Sequence, residues 1–132
     1  MGFIAEKTIN IYLNPNNGIT FSDLKEYFTK HDVTALSVCL YSNKAYRFLQ
    51  PYHEDIIGRV KKHSDIILSE NKGSVSTKLY NTHTGRLLSN ILDNDERSVY
   101  VAPRMICSEE SGKRNIIKII SFDLLIGKKG NE

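Results

Sequence analysis

YHEDIIGRVKKHSDIIL, residues 52–68, is the stretch whose reading decides the fold. Ile56, Ile57 and Val60 can share one face of a helix, yet Gly58 between them costs a helix about 1 kcal/mol relative to Ala. We therefore read a strand from about 55 to 69 that turns at Glu70-Asn71-Lys72-Gly73 into a partner strand at 74–80, SVSTKLY. The helical alternative has a consequence of its own. With residues 53–63 helical, the first half reads β-α-β-β-α-β, a ferredoxin-like order that can present a sheet face to RNA or single-stranded DNA.

Upstream, TALSVCLY (34–41) and AYRFL (45–49) flank Ser42-Asn43-Lys44 and predict a hairpin. Thr20 and Asp23 have the spacing of a helix N-terminal cap, and Phe21, Leu24, Tyr27 and Phe28 then fall on one face of a helix ending near His31. Before it, Phe3, Ala5, Ile9, Ile11 and Leu13 alternate in one phase, which predicts a strand closed by the turn residues NPNNG at 14–18. Downstream, NTHTG (81–85) reads as a turn and RLLSNIL (86–92) as a short amphipathic helix carrying Leu87, Leu88, Ile91 and Leu92. RSVYVAPRMIC and NIIKIISFDLLIG are two apolar strands separated by SEESGKR, an exposed loop. The expectation is a single α+β domain, 1–132: a mostly antiparallel β-sheet or partly closed barrel with two or three short helices, and residues 128–132 as a solvated tail.

Composition narrows the function classes. The 132 residues, 40% hydrophobic and 25% charged, fit one folded domain. A formal charge of +3 falls short of the field of a dedicated duplex-DNA binder. Cys39 and Cys107 sit in apolar runs without CxxC spacing, so we expect buried free thiols in a reducing cytoplasm, and no metal site. No stretch approaches the ~18 apolar residues that span a bilayer, the N-terminus has no h-region, and the myristoylation pattern fails at position 6, so we expect a soluble protein with no membrane partner.

No Gly-rich phosphate loop, HExxH, GxSxG or EF-hand pattern occurs, and no cofactor is expected. Of the histidines, His31 is placed to cap a helix C-terminus, whereas His63 and His83 read as solvated. His53 is the one candidate base, because it precedes an apolar strand. Lys61-Lys62, Lys113-Arg114 and Lys128-Lys129 could contact phosphate, and Tyr41, Tyr46 and Phe48 could stack on bases, but these aromatics alternate with apolar residues, which favours core filling as their use.

HEDIIGRV, KGSVSTKLYNTHTGRLLSNILDN, SVYVAPRM and IIKIISFDLLIG, taken in order, resemble the core of the head-maturation (prohead) proteases of tailed phages, relatives of the herpesvirus assemblins. In that family a His precedes an Ile/Leu-Gly strand, and a Gly-hydrophobic strand and a turn into a short helix follow. The next strand bears the Ser nucleophile, in a Val-Ser-Ser-Arg-Gly or Leu-Ser-Ile-Gly context, and a later strand is a hydrophobic run around an Asp. The resemblance spans roughly residues 53–127, with NKAYRFLQPY a looser echo of an upstream segment.

Carried over by position, the resemblance puts His53 on the catalytic His and Arg104 on the Arg after the nucleophile, while Ala102 and Pro103 stand where the Ser should be. Acyl transfer needs a hydroxyl or thiol that a base can activate, and neither side chain has one. Ser98 shares the phase of Ala102 but is about 13 Å away along an extended strand. Pro103 is then expected at a sheet edge or a bulge. The resemblance implies a non-catalytic structural, decoration or assembly protein of a phage or virus-like particle. Its partners would be the major capsid or other head proteins and further copies of itself, in the virion or host cytoplasm. The alternative is a small nucleic-acid-binding accessory protein with a ferredoxin-like first half, and a third reading is an active hydrolase with another nucleophile.

Overall fold

β1 (Phe3–Ile11) forms where the N-terminal alternation places it, in a computed structural model that describes residues 2–33, 36–42, 50–94 and 99–127. Ile9 and Ile11 are its buried positions. NPNNG becomes a single 3-10 turn at Pro15–Asn17, closed by Gly18 at φ +72°, a left-handed backbone that disfavours a side chain. α1 (Phe21–Lys30) begins with a reciprocal cap, in which Asp23 N–H donates to Thr20 Oγ1 at 3.1 Å and Thr20 N–H to Asp23 Oδ2 at 2.9 Å. Leu24 and Phe28 are buried, and Phe21 and Tyr27 pack beside them. His31 closes the helix as expected, with Nδ1 2.9 Å from the Tyr27 carbonyl oxygen and its ring stacked on that tyrosine.

The 52–68 stretch is neither one helix nor one strand. His53–Asp55 is a 3-10 turn, β3 spans Ile56–Arg59, a second 3-10 turn takes His63–Asp65, and β4 spans Ile66–Leu68. The continuous strand expected over 55–69 is corrected to two short ones. The helix over 53–63, on which the ferredoxin-like alternative depended, does not form. Asp65 explains the break: buried, it turns its Oδ2 back to accept from the backbone N–H groups of Lys61 (3.3 Å) and Lys62 (3.2 Å), so the interruption keeps its hydrogen bonds. Gly58 explains the strand, because a Cβ there would lie 2.5 Å from the Lys78 carbonyl oxygen and 3.0 Å from Thr77 Oγ1. Only a bare backbone lets β3 approach β5 (Gly73–Tyr80) this closely.

β5 is paired along both edges. β1 runs antiparallel to it from Phe3↔Tyr80 to Asn10↔Ser74, while β3 (Gly58↔Leu79) and β4 (Ile66↔Val75) share the opposite edge in tandem. β6 (Val99–Glu110) and β7 (Lys113–Ile126) form the long hairpin, and only Ser111 and Gly112, at φ 53° and 78°, turn between them. β7 also pairs in parallel with β2 (Ser37–Leu40), β2 pairs antiparallel with β3, and Asn10 and Ile11 of β1 pair in parallel with Tyr100 and Val101 of β6. The pairings of this seven-stranded sheet therefore pass from β1 through β6, β7, β2, β3 and β5 and back to β1. The partner expected for β2 at 45–49 lies outside the described residues, as do Ser98, Lys128-Lys129 and the rest of the 128–132 tail.

α2 (His83–Asn94) begins three residues before the expected 86 because Thr82 caps it, its Oγ1 accepting from Gly85 N–H at 3.0 Å. Leu88 and Leu92 are buried, Ile91 packs beside them, and Leu87 is exposed. α2 lies on β1, β3 and β5, and α1 on β4 and β7, so side chains from both helices and the strands join one apolar cluster. The outcome is a mixed α+β fold that is predominantly sheet.

Gly58→Ala should destabilise the protein by about 2 kcal/mol, the ordinary cost of forcing an atom into a filled space. Urea denaturation followed by circular dichroism checks this; Gly2→Ala, where nothing lies within 4 Å, should leave the midpoint unchanged.

Candidate functional site

Two lone charges inside apolar strands find each other in the structure. Arg104 of β6 and Asp123 of β7 lie near one another because Ala102 pairs with Asp123 and Arg104 with Ser121 across the hairpin. The Arg104 guanidinium donates through Nε and Nη2 to Asp123 Oδ2, both at 2.7 Å, and through Nη2 to the Ser42 carbonyl oxygen at 2.6 Å. Ser121 Oγ donates to Asp123 Oδ1 at 2.9 Å. Ser121 and Asp123 are buried, as is Cys39, which stands directly across from Asp123 on β2. Burial pushes the Asp123 carboxyl above the usual carboxylate range, and Ser121 and Arg104 pull against that shift.

Ala102, Pro103 and Arg104 border a cleft of about 350 Å³ with Tyr41, Ser42 and Asp123. Pro103 fits its strand for the reason expected. Pairing between β1 and β6 ends at Ile11↔Val101, so two residues later the other edge of β6 carries no strand among the described residues. A bulge follows at once, since Arg104 pairs with Ser121 but Met105 pairs with Ile119, leaving Ile120 as the extra residue on β7.

His53 is elsewhere. It is exposed at the start of its 3-10 turn and lines a separate cleft of about 670 Å³ with Phe3, Arg59, Lys61 and Tyr80 among others. The two clefts share no lining residue. Across the sheet, Ala102 pairs with Asp123, Asp123 with Cys39 and Cys39 with Ile56, which puts three strand spacings, ~14 Å, between the Ala102 backbone and the strand that follows His53. A catalytic base works at hydrogen-bond distance. The structure thus groups Ala102, Pro103 and Arg104 and leaves His53 apart from them.

The thiols differ from each other. Cys39 is fully buried, and its pKa is pushed up to about 12 by that burial, with Asp123 and Asp55 adding to the effect and a hydrogen bond with Ser121 opposing it. It is a neutral packing group. Cys107, expected to be buried, is half-buried on the outer part of β6, and burial raises its pKa as well. Of the other histidines, His63 and His83 are exposed, His83 as the first residue of α2 rather than in a turn. Among the described residues no group of three or more His, Cys, Asp and Glu side chains could hold a metal, and no helix is long and apolar enough to cross a membrane.

The partners of Arg104, Asp123 with Ser121, carry a signal in the sequence. An Asp in IISFDLLI and an Arg in VYVAPRMI are each too costly to bury alone, and the two strands are neighbours. No protein-family model matches the chain, and neither a curated protein nor a solved structure does.

With a thiol reagent near neutral pH, folded protein should react at Cys107 and at Cys39 only once denaturant is added; a Cys107→Ser variant should show no reaction before unfolding. Rapid reaction of both thiols in the folded state would contradict this assignment.

Asp123→Asn should destabilise the protein at neutral pH by about 3 kcal/mol, because it leaves a largely buried guanidinium without its carboxylate. The pH dependence has a definite sign. Asp123 holds its proton more tightly folded than unfolded, so its contribution is complete below the ordinary value of 3.8 and lost as pH rises through its own higher value. Thermal melts across that window should show this decline in the wild type and not in Asp123→Asn.

Proposed function

We propose that the chain is a non-catalytic, capsid-associated structural, decoration or assembly protein of a phage or virus-like particle. Its frame would be a degenerate, partly closed barrel of the prohead-protease kind. The observation that carries this reading is the surroundings of Ala102. The side chain has no atom able to attack a carbonyl, His53 lines a different cleft, and Arg104 donates to Asp123 and to the Ser42 carbonyl. Cys39, the thiol one strand further along the same row, is held protonated. The strand pairings that return to β1 support the barrel part of the reading.

The outer β6–β7 hairpin supports the assembly part. Beyond the pairings with β1 and β2, residues 105–119 form a two-stranded ribbon whose outer strand edges carry no further strand among the described residues, with Ile117 exposed. Such edges suit contact with another chain. The nucleic-acid alternative has lost its ferredoxin-like premise, since 56–59 is strand.

Purified protein mixed with the cognate major capsid or head protein should co-sediment with it and leave it intact. Proteolysis that disappears in a His53→Ala variant would overturn the non-catalytic reading, and failure to associate would overturn the capsid one.

A further inference from the structure

We propose that the cleft containing His53 binds a nucleoside monophosphate, either free or as the 5′-phosphorylated end of a single strand. The cleft is about 670 Å³, the size of small-molecule sites, and lies between the start of β1, β3 and the first turn of α2. One wall is aromatic. Phe3 and Tyr80 are cross-strand partners of β1 and β5, and their rings stack with centroids 5.0 Å apart and 19° between planes. Ile56 and Ile57 add apolar surface, and Thr82 and Thr84 bring hydroxyl groups.

The charged groups select the ligand. Arg59 and Lys61 bring cationic side chains to the cleft, with Glu54 the carboxylate among its described lining residues and the His53 ring beside them. Lys61 Nζ lies 5.1 Å over the Phe3 ring, on an exposed and flexible side chain. An ammonium resting on a ring face brings two recognition elements together, a π surface and a mobile cation. An anion alone would use the cations and leave the ring; a neutral ring would use the aromatic face and leave Lys61 without a counter-charge. A nucleotide satisfies both, with the base against the Phe3 face and Lys61 drawn from the ring to the phosphate. The assignment is independent of the capsid reading, which concerns the other cleft and the hairpin edges.

The test titrates the 132-residue chain with adenosine monophosphate, adenosine, inorganic phosphate and a short 5′-phosphorylated single strand, followed by calorimetry and amide chemical shifts. Adenosine monophosphate should bind, and adenosine and phosphate should each bind at least about tenfold more weakly. Lys61→Ala and Phe3→Leu should each weaken nucleotide binding about tenfold; Lys61→Ala, at an exposed position, should leave melting unchanged, and Phe3→Leu should lower the melting temperature only by the loss of its stack on Tyr80. Lys113→Ala, at the β6–β7 turn, should have no effect. Binding of the strand as tightly as the mononucleotide identifies a strand end as the ligand, and binding of the mononucleotide alone identifies the free form. The proposal is overturned by no saturable binding, by adenosine or phosphate matching the nucleotide, or by wild-type affinity in both cleft variants.

Discussion

β5 is hydrogen-bonded along both edges, and the other strands take their places from that constraint. One edge is filled by β1 in a single long ladder. The opposite edge is shared by two short strands, so the chain between them must leave the sheet and return without stranding its own polar groups. Asp65 satisfies the departing N–H groups of Lys61 and Lys62, Thr77 Oγ1 donates to the Arg59 carbonyl oxygen at 3.3 Å, and Gly58 yields the space for close approach. Once these edges are fixed the rest follows, because β1 continues to β6 and β3 continues to β2.

Where those two arms meet, at β7, charge is buried as well as apolar surface. Residues 121–124 are buried in succession, as a strand must be when it has neighbours on both edges and cover on both faces. Phe122 and Leu124 enter the apolar cluster, whereas Ser121 and Asp123 point the other way by alternation. Burying a carboxylate there is costly; Arg104 and Ser121 offset part of that cost, and the raised pKa of Asp123 records what remains. The pair bridges β6 and β7 across the hairpin and ties β6 to the carbonyl of Ser42, just beyond β2.

Much of this was legible in local chemistry. The Thr20–Asp23 cap, the alternation of β1, the apolar runs of β6 and β7, and a Gly between isoleucines that speaks against a helix all act within a few residues of themselves. The 52–68 stretch was harder, because Asp65 bonds back to Lys61 and Lys62 only once the strand has broken, and nothing in the hydrophobic pattern announces the break. α2 starts earlier than its apolar spacing indicates because Thr82 has turn chemistry in the sequence and acts as a cap in the structure. At the candidate site, the side chains of Ala102 and Pro103, neither of which carries a hydroxyl or thiol, were legible outright. The pairing of Arg104 with Asp123 was not, since bulges at Ile117 and Ile120 shift the register that counting from the turn would give. The separation of His53 from Ala102 was the least legible feature, because it depends on strand order, and order is set by long-range pairings that leave no periodic signature.

That separation bears on whether the surroundings of Ala102 could be made catalytic at all. If the missing hydroxyl were the whole difference, a single change at Ala102 would restore it. A hydroxyl there would still stand beside Arg104, whose donors already meet Asp123 and Ser42. The imidazole of His53 would remain across β7 and β2, beside Phe3 and Lys61. Activation of a nucleophile requires a base within hydrogen-bond reach, and no rotamer change moves a side chain past two strands of a sheet. The non-catalytic reading therefore rests on strand order as well as on one side chain, and the same order leaves the His53 cleft open to a ligand of its own.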